Sequence, residues 1–92
     1  MKIYIGGRIS GNPNYKEQFA KAAARLEAQG HIVLNPTILS HIGLEHHEYM
    51  YITYAMITVS EKVYFLKDWK DSQGARAEKV YAESLGKEIE FE

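Results

Sequence analysis

The sequence predicts a small α/β fold, a flavodoxin- or Rossmann-like three-layer sandwich built on a parallel sheet of roughly four strands. Short apolar runs with the look of buried strands alternate with longer segments whose apolar residues recur at helical spacing. The order strand–turn–helix–strand gives parallel, right-handed units. Two of the strand-to-helix turns are rich in glycine and hydroxyl residues, and such turns open onto the C-terminal edge of a parallel sheet, where open α/β folds take their ligands.

Lys2 to Ile5 is the first strand, followed by the turn Gly6-Gly7-Arg8-Ile9-Ser10-Gly11. Asn12-Pro13 reads as an N-cap with proline at the first helical position. Tyr15, Phe19, Ala22, Ala23 and Leu26 then form one helical face for the sheet, and Gly30 closes that helix in the C′ position. His31 to Leu34 is the second strand, ended by Asn35-Pro36. Thr37 to Leu44 is a loop, with a capping residue near Ser40 or Glu45.

The second helix runs from about Glu45 to Val59 and is apolar on two sides. Tyr49, Ile52, Met56 and Val59 make the stripe expected to face the sheet. Met50, Tyr54 and Ile57 make a second stripe, expected to meet another subunit, because tyrosine and methionine are enriched at such contacts. Lys62 to Leu66 is the third strand. The third helix, Gly74 to Leu85, should turn Ala77, Val80, Tyr81 and Leu85 inward and stop at Gly86, before a fourth strand from Glu88 to Phe91.

Ninety-two residues fit one domain, 1–92. The content is 46% apolar and 25% charged, ordinary for a globular chain. A domain of this length buries only about 60–70% of its unfolded surface, which points to a homodimer or higher homo-oligomer through the 45–59 helix. A net charge of −1 argues against binding a nucleic acid polymer. With no cysteine, neither a disulfide framework nor a thiolate metal site is possible. The histidines (His31, His41, His46 and His47) offer no second ligand pair at metal spacing, and His46 and His47, being adjacent, cannot share one helix face. No metal or redox cofactor is suggested. No apolar run nears the ~20 residues of a membrane span and no signal-peptide pattern opens the chain, so the expectation is a cytoplasmic protein.

The most informative stretch is Tyr64 to Glu78, a buried strand, a polar turn, a serine, a glycine and a helix with a glutamate in its opening turns. Ser72 suits an N-cap, and a carboxylate at Glu78 is favoured by the helix dipole by about 0.3–1 kcal/mol, so both have structural reasons to be present. They also suit chemistry: a carboxylate can trap an anomeric carbon as an ester, and Tyr4 on the first strand could orient it. In the opening turn, Gly6 and Gly7 let backbone approach a ligand, while Arg8 and Ser10 offer a guanidinium and a hydroxyl to phosphate. The same glycines equally serve a tight turn. The spacing fits neither the dinucleotide fingerprint nor a Walker loop. Gly74 stands at the start of the third helix. Trp69 serves either as a stacking platform for a base or as a cover over the core.

These residues resemble the nucleoside 2-deoxyribosyltransferase-like superfamily, and within it the small phage and bacterial domain-of-unknown-function 4406 branch. The resemblance runs through Ile3-Tyr4-Ile5-Gly6-Gly7, Tyr49-Met50 and the Tyr64 to Ile89 block, and is most specific from Trp69 to Glu78, with Ala82 and Gly86-Lys87. It implies a flavodoxin-like fold and action on N-glycosidic bonds, with Glu78 matching the nucleophile and Tyr4 its supporting tyrosine. Ser72 matches the serine that nucleoside-monophosphate hydrolases turn to phosphate, with Arg8 and Ser10 in the turn used for the same group. The chain departs from the pattern at Thr53, where the superfamily's enzymes carry an acid on the second helix, at Glu61 in place of an aspartate, and at Arg8 in place of proline or serine. The resemblance thus implies either a nucleotide N-glycosidase or deoxyribosyltransferase, or a non-catalytic protein that sequesters a nucleotide or nucleotide-derived signal.

Overall fold

The computed structural model describes all residues from Met1 to Glu92. Four strands form one all-parallel sheet in the order β2-β1-β3-β4, where β1 is Lys2–Gly6, β2 Ile32–Leu34, β3 Lys62–Phe65 and β4 Glu88–Phe91. Helix α1 (Tyr15–Ala28) packs on one face, and α2 (His46–Val59) and α3 (Gln73–Ser84) pack on the other. The expected three-layer α/β sandwich is present. No helix is long and apolar enough to cross a membrane.

Strand alternation sorts the core. Ile3 and Ile5 point to the α1 face with Tyr64 and Leu66, against Phe19, Ala22, Ala23 and Leu26. Tyr4, Val63 and Phe65 point the other way, against Ile57 of α2 and Ala75 and Ala82 of α3. At the far side, Lys62 lies between Glu88 and Glu90 and holds β4 to β3; these two carboxylates raise its pKa. Gly30 (φ +91°) and Gly86 (φ +70°) end α1 and α3 as expected, each in a paired backbone motif: His31 N–H to the Leu26 carbonyl and Gly30 N–H to Glu27, then Lys87 to Ala82 and Gly86 to Glu83.

Three expectations need correction. Helix α1 begins at Tyr15, not Pro13, because Asn12 builds a separate turn: its Oδ1 accepts from Asn14 N–H at 3.2 Å and its carbonyl from Tyr15 N–H at 3.3 Å. On α2, Ile52 and Val59 of the stripe expected inward are exposed, while Ile57 of the stripe expected outward is fully buried. Tyr54 of that stripe stacks on Tyr81 of α3 at 4.3 Å. The line that meets the sheet passes through Thr53, a buried polar residue that apolar periodicity skips. On α3 the inward residues are Ala75, Glu78 and Ala82; Val80 is 67% exposed and Leu85 is also exposed, while Tyr81 faces α2. Small residues let α3 lie close to the sheet, and the apolar ones that look like core serve the helix–helix seam instead.

Candidate functional site

The chain crosses from β1 leftward to β2 and then back over to β3, so the strand order reverses between β1 and β3. At such a switch point the two βα turns part and leave a crevice at the carboxyl ends of the strands. A cleft of about 570 Å³ lies there. Gly7, Ile9 and Ser10 of the first turn form one wall, Asp71 to Ala75 with Glu78 the second, and Leu39, Ser40, Gly43 and Leu44 with His46, Tyr49 and Met50 close it from α2 and the loop before it.

Each wall has a local cause. Gly6 has no side chain because a Cβ there would stand 2.6 Å from the Phe65 ring, and at Gly7 it would stand 3.1 Å from both Leu66 and Phe19. These glycines therefore satisfy packing, and Gly7 also brings bare backbone to the cleft. Ser72 caps α3, accepting from Ala75 N–H at 3.1 Å, and places the first turn of that helix against the cleft. Glu45 and Glu48 form a reciprocal capping box that starts α2, with Glu45 N–H donating to Glu48 at 2.9 Å, and so set His46, Tyr49 and Met50 in the wall.

The floor is a carboxylate. Glu78 is only 4% exposed, and the Tyr4 hydroxyl donates to its Oε2 at 2.6 Å from β1. Its Oε1 accepts no protein hydrogen bond, yet no buried side-chain polar atom lacks a partner, so Oε1 opens into the cleft. Burial pushes the Glu78 carboxyl up from 4.5 to about 7, against the pull of Tyr4 and of the nearby Thr53 hydroxyl. Thr53 itself donates to the Met50 carbonyl at 3.3 Å. Burial and then the Glu78 charge raise the Tyr4 and Tyr49 phenols above their ordinary range, so both stay protonated and can act as donors.

The expected site residues divide. Tyr4 and Glu78 meet at the floor, and Gly7, Ser10, Ser72 and Gly74 line the walls. Gly6 lies below, under Phe65. Arg8 is on the same turn but outside the lining, with its guanidinium over Gly11. Trp69 is not in the cleft: its ring packs on Phe65 at 5.5 Å and Phe91 at 5.4 Å, with Lys79 and Lys70 ammonium groups over it, so it covers the β3–β4 end of the core. Glu61 is at the opposite edge of the sheet, accepting from Lys2 N–H at 2.9 Å. His46, Tyr49 and Asp71 line the cleft without having been singled out as site residues; the polar turn before Ser72 was the available signal for Asp71, and the start of α2 for His46. No three His, Asp or Glu side chains stand together as a metal centre would require.

A parallel sheet with a buried carboxylate at its switch-point cleft defines an α/β domain with a ligand-sized crevice at its carboxyl edge. The sequence belongs to the family described as domain of unknown function DUF4406, matched over residues 1–91. Among curated proteins none matches it. The fold is that of three solved enzymes. The 2-deoxyribosyltransferase of Leishmania mexicana superposes with TM-score 0.79 at 21% identity, over 98% of this chain and 62% of its own. The CMP N-glycosidase of Clostridium botulinum gives 0.75 at 16%, over 99% and 70%. The 2-deoxyribosyltransferase of Bacillus psychrosaccharolyticus gives 0.75 at 20%, over 99% and 71%. The chain thus spans less than two thirds of the length of the Leishmania enzyme.

Proposed function

We propose that the protein binds a nucleoside or its 5′-phosphate in the switch-point cleft and cleaves or exchanges the N-glycosidic bond through Glu78. The observation that carries this reading is the Tyr4–Glu78 pair: a carboxylate with one oxygen held at 2.6 Å and the other open to a cleft large enough for a nucleoside. Oε1 would attack C1′ and form a glycosyl ester, which water or a second base then resolves. Tyr4 positions the carboxylate. The hydroxyls of Ser10 and Ser72 and the N–H group of Gly74 in the first turn of α3 suit a sugar hydroxyl or a phosphate. The fold shared with two transferases and a CMP N-glycosidase supports the same substrate class.

The second reading, a protein that holds a nucleotide or nucleotide-derived signal without cleaving it, draws on Thr53. It leaves α2 without a carboxyl group beside Glu78, so no carboxylic acid of that helix stands in the cleft to protonate a departing base. Incubation with a panel of nucleosides and 5′-monophosphates, followed by mass spectrometry of the solution and of the heat-released bound fraction, separates the two. Free base that disappears in Glu78→Ala supports cleavage; intact nucleotide recovered only from the protein supports binding alone. A second copy of the chain remains the proposed partner for the outer side of α2, where Tyr51 is 77% exposed and no charged residue stands between Glu48 and Glu61. A monomer by sedimentation at high concentration would remove that partner.

A further inference from the structure

The charge of the cleft restricts what it can hold. No lysine or arginine lines it; its formally charged side chains are Asp71 and Glu78, and neither is in an ion pair. Nearby cations are turned elsewhere. Arg76 donates to the Lys70 carbonyl at 2.5 Å, Lys79 pairs with Glu83 at 2.9 Å, and Arg8 lies over Gly11. Glu78 is nearly sealed from water, with one oxygen unpartnered and facing the cavity. An ionised carboxylate so placed is costly until a positive charge arrives beside it. Thr53 adds a second restriction, because a neutral base needs a proton as it departs and no carboxyl group of α2 lines the cleft to give one.

We infer that this cleft selects a nucleoside whose base carries a positive charge, an N-glycosyl pyridinium or an N7-alkylated purine. The inference rests on the glycosidic reading above and names the substrate class of that site. Such a ligand meets both restrictions. Its charge sits against Glu78 and Asp71, and its base needs no acid to leave. As Oε1 of Glu78 forms the ester bond to C1′, the C1′–N bond breaks and its electron pair neutralises the ring, which departs uncharged. Water then attacks C1′, restoring the carboxylate and releasing one proton to solvent. Tyr49, also in the wall, brings an aromatic ring to the cleft, and such rings attract flat cations.

Two measurements test this. The first titrates 1-methylnicotinamide and nicotinamide into the protein by calorimetry, the same ring with and without charge and with no bond to cleave. The cation is expected to bind at least ~10-fold more tightly, as a charge pair in a partly dry site should give. The preference should collapse in Glu78→Gln and fall by a smaller factor in Asp71→Asn, whose exposed position keeps the fold safe. Equal binding, or no binding of either, overturns the inference. The second compares base release from nicotinamide riboside, from 7-methylguanosine at slightly acidic pH, and from guanosine. A charged nucleoside should exceed guanosine in kcat/KM by at least ~100-fold, the scale of the acid catalysis it does without. Guanosine cleaved within tenfold of 7-methylguanosine also overturns the inference, yet leaves the glycosidase reading standing. A charge preference in binding with no cleavage of any nucleoside does the reverse. Cleavage of only one charged nucleoside assigns the ring type.

Discussion

The two faces of the sheet follow different rules. Against α1 the buried side chains are Ile3, Ile5, Phe19, Ala22, Ala23, Leu26 and Leu66, together with Tyr64, whose hydroxyl reaches Arg25 at 2.7 Å at the margin. Against α2 and α3 the same strands meet Ile57, Ala75 and Ala82, but this layer also buries Thr53, Ser60 and Glu78. The first face is a packing surface. The second gives up stability to keep a carboxylate out of water beside a cleft. The difference is one strand register: Tyr4 lies between two isoleucines and points the opposite way.

The largest effect should come from cutting the packing face. Leu26→Ala removes a buried side chain far from the cleft and should cost about 2–5 kcal/mol. Urea unfolding checks it, and the ligand affinity of the folded fraction should not move. A cost under about 1 kcal/mol would mean that α1 is not closing a core at all.

Glu78→Gln should act in the opposite direction. In the unfolded chain the carboxyl titrates near 4.5, and in the fold near 7. Below the lower value both states are protonated and the residue contributes nothing to pH dependence. Between the two values the unfolded chain releases its proton first, so stability falls as pH rises, and above about 7 the loss is complete. At ~1.4 kcal/mol per pH unit this loss is about 3–4 kcal/mol as an upper bound. The glutamine variant should therefore lack the decline between pH 5 and 7 and be about 1–3 kcal/mol more stable than the parent at pH 8. Thermal unfolding across that range decides it, and a variant less stable at pH 8 would contradict the burial argument. The same substitution should abolish base release.

Tyr4→Phe sharpens the contrast by removing only the hydroxyl. Hydrogen bonds to charged groups contribute about 1.5–3 kcal/mol and neutral ones about 1. The variant should lose more stability at pH 8, where Glu78 is ionised, than at pH 5, where it is not. Its Glu78 should titrate above the parent's, because Tyr4 is one of the two groups that pull that value down. NMR titration of the Glu78 side-chain carboxyl carbon reads this directly.

The sequence made the packing face more legible than the working face, for a physical reason. Tyr15, Phe19, Ala22, Ala23 and Leu26 recur with the helix period because nothing but apolar contact is asked of α1. On α2 and α3 the sheet-facing lines run through Thr53 and Glu78, so a reader of apolar periodicity places the helices a fraction of a turn away and assigns Val59, Val80 and Leu85 to a core they do not enter. Of the two residues that broke the pattern, Glu78 is the floor of the cleft and Thr53 lies buried beside it. Glu78 and Tyr4 were recoverable from motif and strand position, whereas their 2.6 Å contact depends on the close approach of α3 that Ala75 and Ala82 permit. Trp69 was ambiguous because a loop aromatic looks the same from sequence whether it stacks on a ligand or on Phe65 and Phe91.

The smallest effect tests whether a residue can belong to both regimes. Ser72 caps α3 through its hydroxyl and also lines the cleft. Ser72→Ala should cost about 1 kcal/mol as a lost cap, with no dependence on pH, since no titrating group is involved. Ser72→Asp should recover that loss, because aspartate caps as well as serine and its charge suits a helix N-terminus. In the cleft the two variants should part. If Ser72 only caps, the folded fraction of the alanine variant binds nucleoside and monophosphate as the parent does, and the aspartate variant binds the monophosphate no more weakly than the alanine one. If the hydroxyl also meets an anionic group of the ligand, the aspartate variant is as stable as the parent yet binds a 5′-monophosphate more weakly than the alanine variant does. Calorimetric titration of one nucleoside and its monophosphate into both variants separates the cap from the contact, since only the phosphate should register the new charge.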